Sequence, residues 1–156
     1  MIVVPSNFVS ELLRVLMPGG QAVVATWALP ARVEMMRLLG DTAIAAMLDL
    51  PCSGEPPSWT ALSDAHCLQS RLLALGYARV HVVTVTHVWT FEKAECVAQL
   101  LPVVTPSWAA VFNTIPSAQQ EQFVQALIES FHDRQGDGPF AVTSEGLIAV
   151  GTKAAA

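Results

Sequence analysis

Glu11-Leu12-Leu13-Arg14-Val15-Leu16-Met17-Pro18-Gly19-Gly20-Gln21-Ala22-Val23-Val24-Ala25-Thr26-Trp27 is the stretch on which the fold turns. Upstream of Pro18, Phe8, Leu12 and Val15 recur at helical spacing, with Val9, Leu13 and Leu16 beside them, and give one apolar face. Ser6 or Asn7 can cap that helix, because either side chain accepts from the orphan N–H groups of a first turn. Pro18-Gly19-Gly20 stops it: proline cannot continue a helix, and glycine permits the sharp reversal. From Gln21 to Trp27 the residues are apolar with β-branched Val23, Val24 and Thr26, a pattern expected of a strand buried on both faces. Ahead of all this, Ile2, Val3 and Val4 end at Pro5 like the tail of a buried strand. The order is therefore strand, helix, tight turn, strand, one α/β unit at the start of the chain.

Working outward, a short helix is expected after Pro30 through Leu38, another over 41–50, and a loop over 51–57. Ser63 or Asp64 caps a helix whose stripe is Ala65, Leu68, Leu72 and Leu75, with Gly76 just past its end. The residues from Arg79 to Phe91 alternate as a long strand. Helices are expected over 92–101, 106–115 and 116–134, then a turn at Gln135-Gly136-Asp137-Gly138-Pro139 and a final strand within 140–152. Residues 153–156 read as a frayed tail. No repeat or long linker interrupts the chain, so a single domain over 1–156 is expected, with 92–139 as a helical insertion.

Composition narrows the function. Charged residues make up 13% of the chain and hydrophobic ones 53%, against about 25% charged in an average soluble domain, which suggests a surface that meets a partner. A net charge of −5 with scattered Lys and Arg argues against a nucleic-acid partner, which calls for a basic face. Cys52, Cys67 and Cys96 form no Cys-x-x-Cys pair, so neither a disulfide framework nor a zinc knuckle is indicated, and a reducing cytoplasmic setting fits. No secretory leader is visible in the given sequence. The uncharged run from Cys96 to Gln120 is broken by Pro102, Pro106 and Pro116, which disfavours a membrane span. His81 and His87 lie on one strand face about 20 Å apart, too far for one metal ion, and no metal site is expected. Ser53 lacks the flanking glycines of a hydrolase elbow.

The run Arg14-Val15-Leu16-Met17-Pro18-Gly19-Gly20, followed by a strand closing on Trp27, resembles class I S-adenosylmethionine-dependent methyltransferases acting on small molecules. In that family the element is the fourth helix leading into the fifth strand. Leu72-Leu73-Ala74-Leu75-Gly76-Tyr77-Ala78-Arg79-Val80 resembles the helix, turn and strand that follow, and Leu147-Ile148-Ala149-Val150-Gly151-Thr152-Lys153 resembles the antiparallel last strand. The resemblance implies an α/β fold holding the later strands of a Rossmann-like methyltransferase sheet, that is, the C-terminal half of such an enzyme. The Gly-x-Gly-x-Gly loop and the acidic residue that hold the cofactor lie upstream in that family and have no counterpart here, so the expected state is a truncated chain that is inactive alone.

By the same resemblance, Ile2, Val3 and Val4 stand where the fourth strand passes the S-adenosylmethionine cofactor, although plain strand core is an equal reading. Trp27, Trp89 and Trp108 stand where a small-molecule substrate would be walled, with core packing as the competing reading for each, as it is for Phe91 and Phe112. Methyl transfer asks for alignment of nucleophile and methyl more than for acid–base chemistry, and no catalytic residue is assigned. The other readings are a non-catalytic interaction module pairing through an exposed sheet edge, with itself or a partner chain, and a carrier of small hydrophobic ligands.

Overall fold

A computed structural model describes residues 8–46, 61–104, 109–110 and 112–155. The described chain is mixed α/β, with a three-stranded antiparallel sheet of order β1-β3-β2 and helices. In chain order the elements are α1 (Phe8–Val15), β1 (Gln21–Trp27), a 3-10 turn (Pro30–Arg32), α2 (Glu34–Ala45), α3 (Ala65–Ala74), β2 (Arg79–Phe91), α4 (Ala94–Val104), α5 (Ser117–Gln135) and β3 (Phe140–Thr152). Two compact units result. One comprises Ile2–Val33, Glu55–His87 and Glu145–Ala156, the other Glu34–Gly54 and Val88–Ser144.

In the first unit, β1 pairs antiparallel with the later part of β3, in a register that sets Gln21 against Thr152, Val24 against Ala149 and Trp27 against Gly146. The last strand is therefore antiparallel, as expected. α1 and α3 supply the helical side of the core: Val9, Leu68, Leu72 and Tyr77 are buried with Ala22, Val24, Leu147 and Ala149. Gly19 takes φ 76° in the turn between α1 and β1, a backbone conformation that costs glycine little. Asp64 caps α3 by accepting from the Cys67 N–H at 2.8 Å, and Gly76 at φ 103° turns the chain toward β2.

Two expectations fail in this unit. β1 is not buried on both faces. Ala22 and Val24 are buried, whereas Gln21, Val23, Ala25 and Trp27 are exposed, because α1 and α3 pack against the side of the sheet that carries Ala22 and Val24. Nor does the end of the chain fray at Lys153. Its backbone N–H donates to Gly20 O at 2.9 Å, and its ammonium donates to Leu13 O, Arg14 O and Leu16 O at 3.0, 3.3 and 2.8 Å.

The second unit is mostly helical. Met35, Leu38, Leu39 and Ala43 of α2, Ala94, Val97 and Ala98 of α4, and Phe123, Leu127 and Phe131 of α5 form its core with Phe140 and Val142 of β3. Full burial of a side chain such as Phe131 contributes about 1.5–3 kcal/mol. Expectation placed a break between helices at 38 and 41. Instead α2 runs unbroken through Gly40, since one face, Met35, Leu38, Leu39, Thr42 and Ala43, is buried on both sides of it. That burial outweighs the ~1 kcal/mol that an internal glycine costs against alanine. The helix expected to end at 101 continues to Val104, with Pro102 in its last turn. Of the helix expected over 106–115, residues 109, 110 and 112 are helical and 113–115 form a turn and bend, so it ends short of 115. Glu34 ties its own unit together: its carboxylate accepts from the Thr143 N–H and from Arg134 Nη2, both at 2.8 Å.

Candidate functional site

The carboxyl end of β1 is where the sequence places a substrate wall, and its surroundings in the sheet unit are well defined. Trp27 closes the strand with its indole on the exposed side, 38% accessible. Its partner across the ladder is Gly146, which offers no side chain to cover the ring. A Cβ on Gly146 would lie 3.3 Å from Thr26 O, so the strands approach closely there. Past Trp27 the chain turns at once. Ala28 is buried and donates its N–H to Glu145 O at 3.0 Å. The 3-10 turn follows, closed by Arg32 N to Leu29 O at 2.7 Å, and it delivers the Arg32 guanidinium to Glu145 Oε2 at 3.0 Å.

The ion pair leaves the carboxylate 20% exposed and the guanidinium 65% exposed, and strand alternation puts Glu145 on the face opposite Gly146 and Trp27. The exposed indole can pack an apolar or aromatic ligand on its own face, and the Glu145 carboxylate can accept hydrogen bonds on the other. Arg32 and Glu145 are the residues that sequence reasoning missed. They lie 113 positions apart, and no local pattern links a turn arginine to a strand glutamate.

The remaining predicted residues divide. Trp89 lies on β2 in the helical unit and is partly exposed. Phe91 packs against the helical core, as does Phe112, whose ring meets Phe123 edge-to-face at 5.7 Å, so the packing reading holds for both. Ile2, Val3, Val4 and Trp108 lie outside the described residues.

Elsewhere in the sheet unit, three groups carry shifted acidities. Asp64 is held below the ordinary carboxylate range, first by the hydrogen bond from the Cys67 backbone. The same carboxylate pushes the Cys67 thiol up. Burial raises Tyr77, whose hydroxyl donates to Val9 O at 3.1 Å. Their roles in cap and core account for all three. Among the described residues no group of three His, Cys, Asp or Glu could hold a metal ion. No helix among them is long and apolar enough to cross a membrane, and Cys67 and Cys96 are free thiols.

The cofactor implied by the resemblance can be tested against the strand-to-helix junctions, where a glycine-rich cradle would sit. β1 passes to α2 through Ala28-Leu29-Pro30-Ala31-Arg32-Val33, and β2 passes to α4 through Glu92-Lys93. Neither contains glycine. The positive-φ glycines Gly19, Gly76, Gly136 and Gly138 all precede strands, not helices. The described residues therefore do not form that cradle, and no chemical step is derived through the cofactor.

No protein-family model matches the chain, and no curated protein matches it. Solved structures do. One is a protein assigned as a methyltransferase from Bacillus halodurans C-125, at 15% identity and TM-score 0.42, covering 97% of this chain and 64% of that one. Another is phosphoethanolamine N-methyltransferase 2 of Haemonchus contortus, in complex with phosphomonomethylethanolamine and S-adenosylhomocysteine, at 9% identity and TM-score 0.41, covering 98% and 31%. A third is the YcgJ protein of Bacillus subtilis, at 16% identity and TM-score 0.42, covering 97% and 58%. The chain thus spans less than two thirds of the length of each.

Proposed function

We propose that this chain is the C-terminal portion of an S-adenosylmethionine-dependent methyltransferase acting on a small organic substrate in the cytoplasm. The observation that carries the reading is local: the helix, Pro-Gly-Gly turn and strand of the quoted motif form as α1 and β1, with the last strand antiparallel beside β1. In this reading the end of β1 faces the substrate. Trp27, on the open face at the strand end, supplies an apolar wall. Trp89 and Trp108 remain further substrate-side candidates, and Ile2, Val3 and Val4 candidates for the cofactor side.

The chain alone holds the cofactor weakly or not at all, because its glycine-free junctions cannot enclose it. Calorimetric titration of the 156-residue chain with S-adenosylmethionine is expected to show no saturable heat at micromolar concentrations. Saturable micromolar binding would overturn the reading that cofactor binding needs residues beyond these.

A second reading is a non-catalytic interaction module. It is favoured by a specific observation: β1 and β2 are both outer strands of the sheet, and β2 is exposed on both faces from Val83 to Thr90.

A further inference from the structure

Gly136-Asp137-Gly138-Pro139 joins α5 to β3 within the helical unit. One side chain closes the turn at its base: Gln135 donates from Nε2 to Ala141 O at 2.9 Å and accepts from the Ala141 N–H at 2.8 Å. Inside that closure Asp137 stands between two glycines, which restrict their neighbours least, and its side chain is fully exposed. His132 Nδ1 lies 3.8 Å from Asp137 Oδ1, too far for a hydrogen bond, so the carboxyl is free to turn back on its own main chain.

The next amide is an open nucleophile. The Gly138 N–H lies outside helix and strand and donates no hydrogen bond among the described residues. Nor does a Cβ shield it, and the fold requires that gap. Gly138 has φ 97°, and a Cβ there would lie 2.8 Å from Phe140 Cε2 and 3.2 Å from Glu92 O. Asp137-Gly138 is the only Asp-Gly pair in the sequence, which has no Asn-Gly pair. We propose that Asp137 is a site of spontaneous modification, at which its carboxyl cyclises onto the Gly138 nitrogen and the chain reopens as isoaspartate.

In the first step the Gly138 nitrogen bonds to Asp137 Cγ, and the carboxyl hydroxyl leaves with the amide proton as water. The product is a succinimide. Nucleophile and carbonyl sit on adjacent residues, so the step is intramolecular and needs no encounter. Solvent water then cleaves one of the two ring C–N bonds. Cleavage at Cγ restores aspartate. Cleavage at the Asp137 main-chain carbonyl carbon leaves the chain running through Cβ and Cγ, with a carboxylate on Cα. Nothing is oxidised or reduced, and the mass is unchanged. Other aspartates are protected by their settings. Asp41 and Asp133 lie within α2 and α5, where the helical ladder holds the following N–H, and Asp64 is engaged by the Cys67 N–H. The proposal is independent of the methyl-transfer reading, which the cofactor titration tests.

The test is to incubate the folded full chain near neutral pH in water enriched in heavy oxygen, then digest it with trypsin in ordinary water. Tryptic cleavage gives peptide 135–153, in which Asp137 is the sole aspartate, and peptides 38–71 and 94–134, which carry the others. Mass spectrometry is expected to find heavy oxygen entering 135–153 first, together with a same-mass isomer whose fragment ions mark isoaspartate. Asp137→Glu should lose the label, because the larger ring closes far more slowly. Asp137→Asn should convert faster than wild type, with ammonia leaving in place of water. An unlabelled 135–153 from folded wild type, label arriving first in another peptide, or label retained by Asp137→Glu would each overturn the proposal.

Discussion

The ammonium of Lys153 lies within hydrogen-bond distance of three carbonyls at the end of α1, those of Leu13, Arg14 and Leu16. A helix leaves its last carbonyls without intrahelical partners, and a cation there satisfies them while opposing the negative end of the helix dipole. Lys153→Met keeps most of the stem and removes the donors. It is expected to destabilise the chain by about 1–2 kcal/mol, with α1 amides exchanging faster in hydrogen–deuterium exchange. Gly151 is constrained in another way: a Cβ there would lie 2.5 Å from Tyr77 Cδ1, inside the core. Gly151→Ala should lower stability by about 1–3 kcal/mol in chemical denaturation. Sequence reading grouped both residues with the last-strand motif but assigned neither role, because the partners Leu13 and Tyr77 are far away along the chain.

At the scale of elements, α3 illustrates what local pattern can reveal. Its stripe, its cap and its glycine stop were all legible, since each depends on residues within a few positions of the helix. The cap also predicts a pH response. The folded Asp64 carboxyl titrates below its unfolded value, so its contribution is present above the unfolded value and is lost as pH falls through the folded one. Asp64→Asn caps nearly as well without a charge. Melting temperatures of the two proteins are therefore expected to lie close near neutrality. Wild type should then fall more steeply than the variant below the ordinary carboxylate range. Parallel acid limbs would refute the cap's role. What the local pattern missed was set by distant packing. Gly40 and the one-sided burial of β1 both depend on which surfaces other elements cover, and that coverage is not encoded within a window of ten residues.

At the scale of the molecule, the motif around Pro18-Gly19-Gly20 was enough to place a helix running into a strand, and the Leu147–Lys153 motif an antiparallel last strand. It could not place α2 with α4 and α5 in one core, because the apolar stripes of these helices name no partner. The candidate site was half legible. Trp27 at the strand end was visible, whereas Arg32 and Glu145 become neighbours only once β3 lies beside β1.

The position of β3 between β1 and β2 bears on how the chain is made. The central strand is the last to be translated, more than a hundred residues after Trp27. At typical synthesis rates of about 5–20 residues per second, β1 waits on the order of ten seconds for its ladder partner. Through that interval the ribosome carries two emerged segments, apolar and β-prone, with no neighbour to zip against. Nascent-chain holdases would find their natural substrate there, and a stop codon ahead of Phe140 would leave both segments orphaned for good.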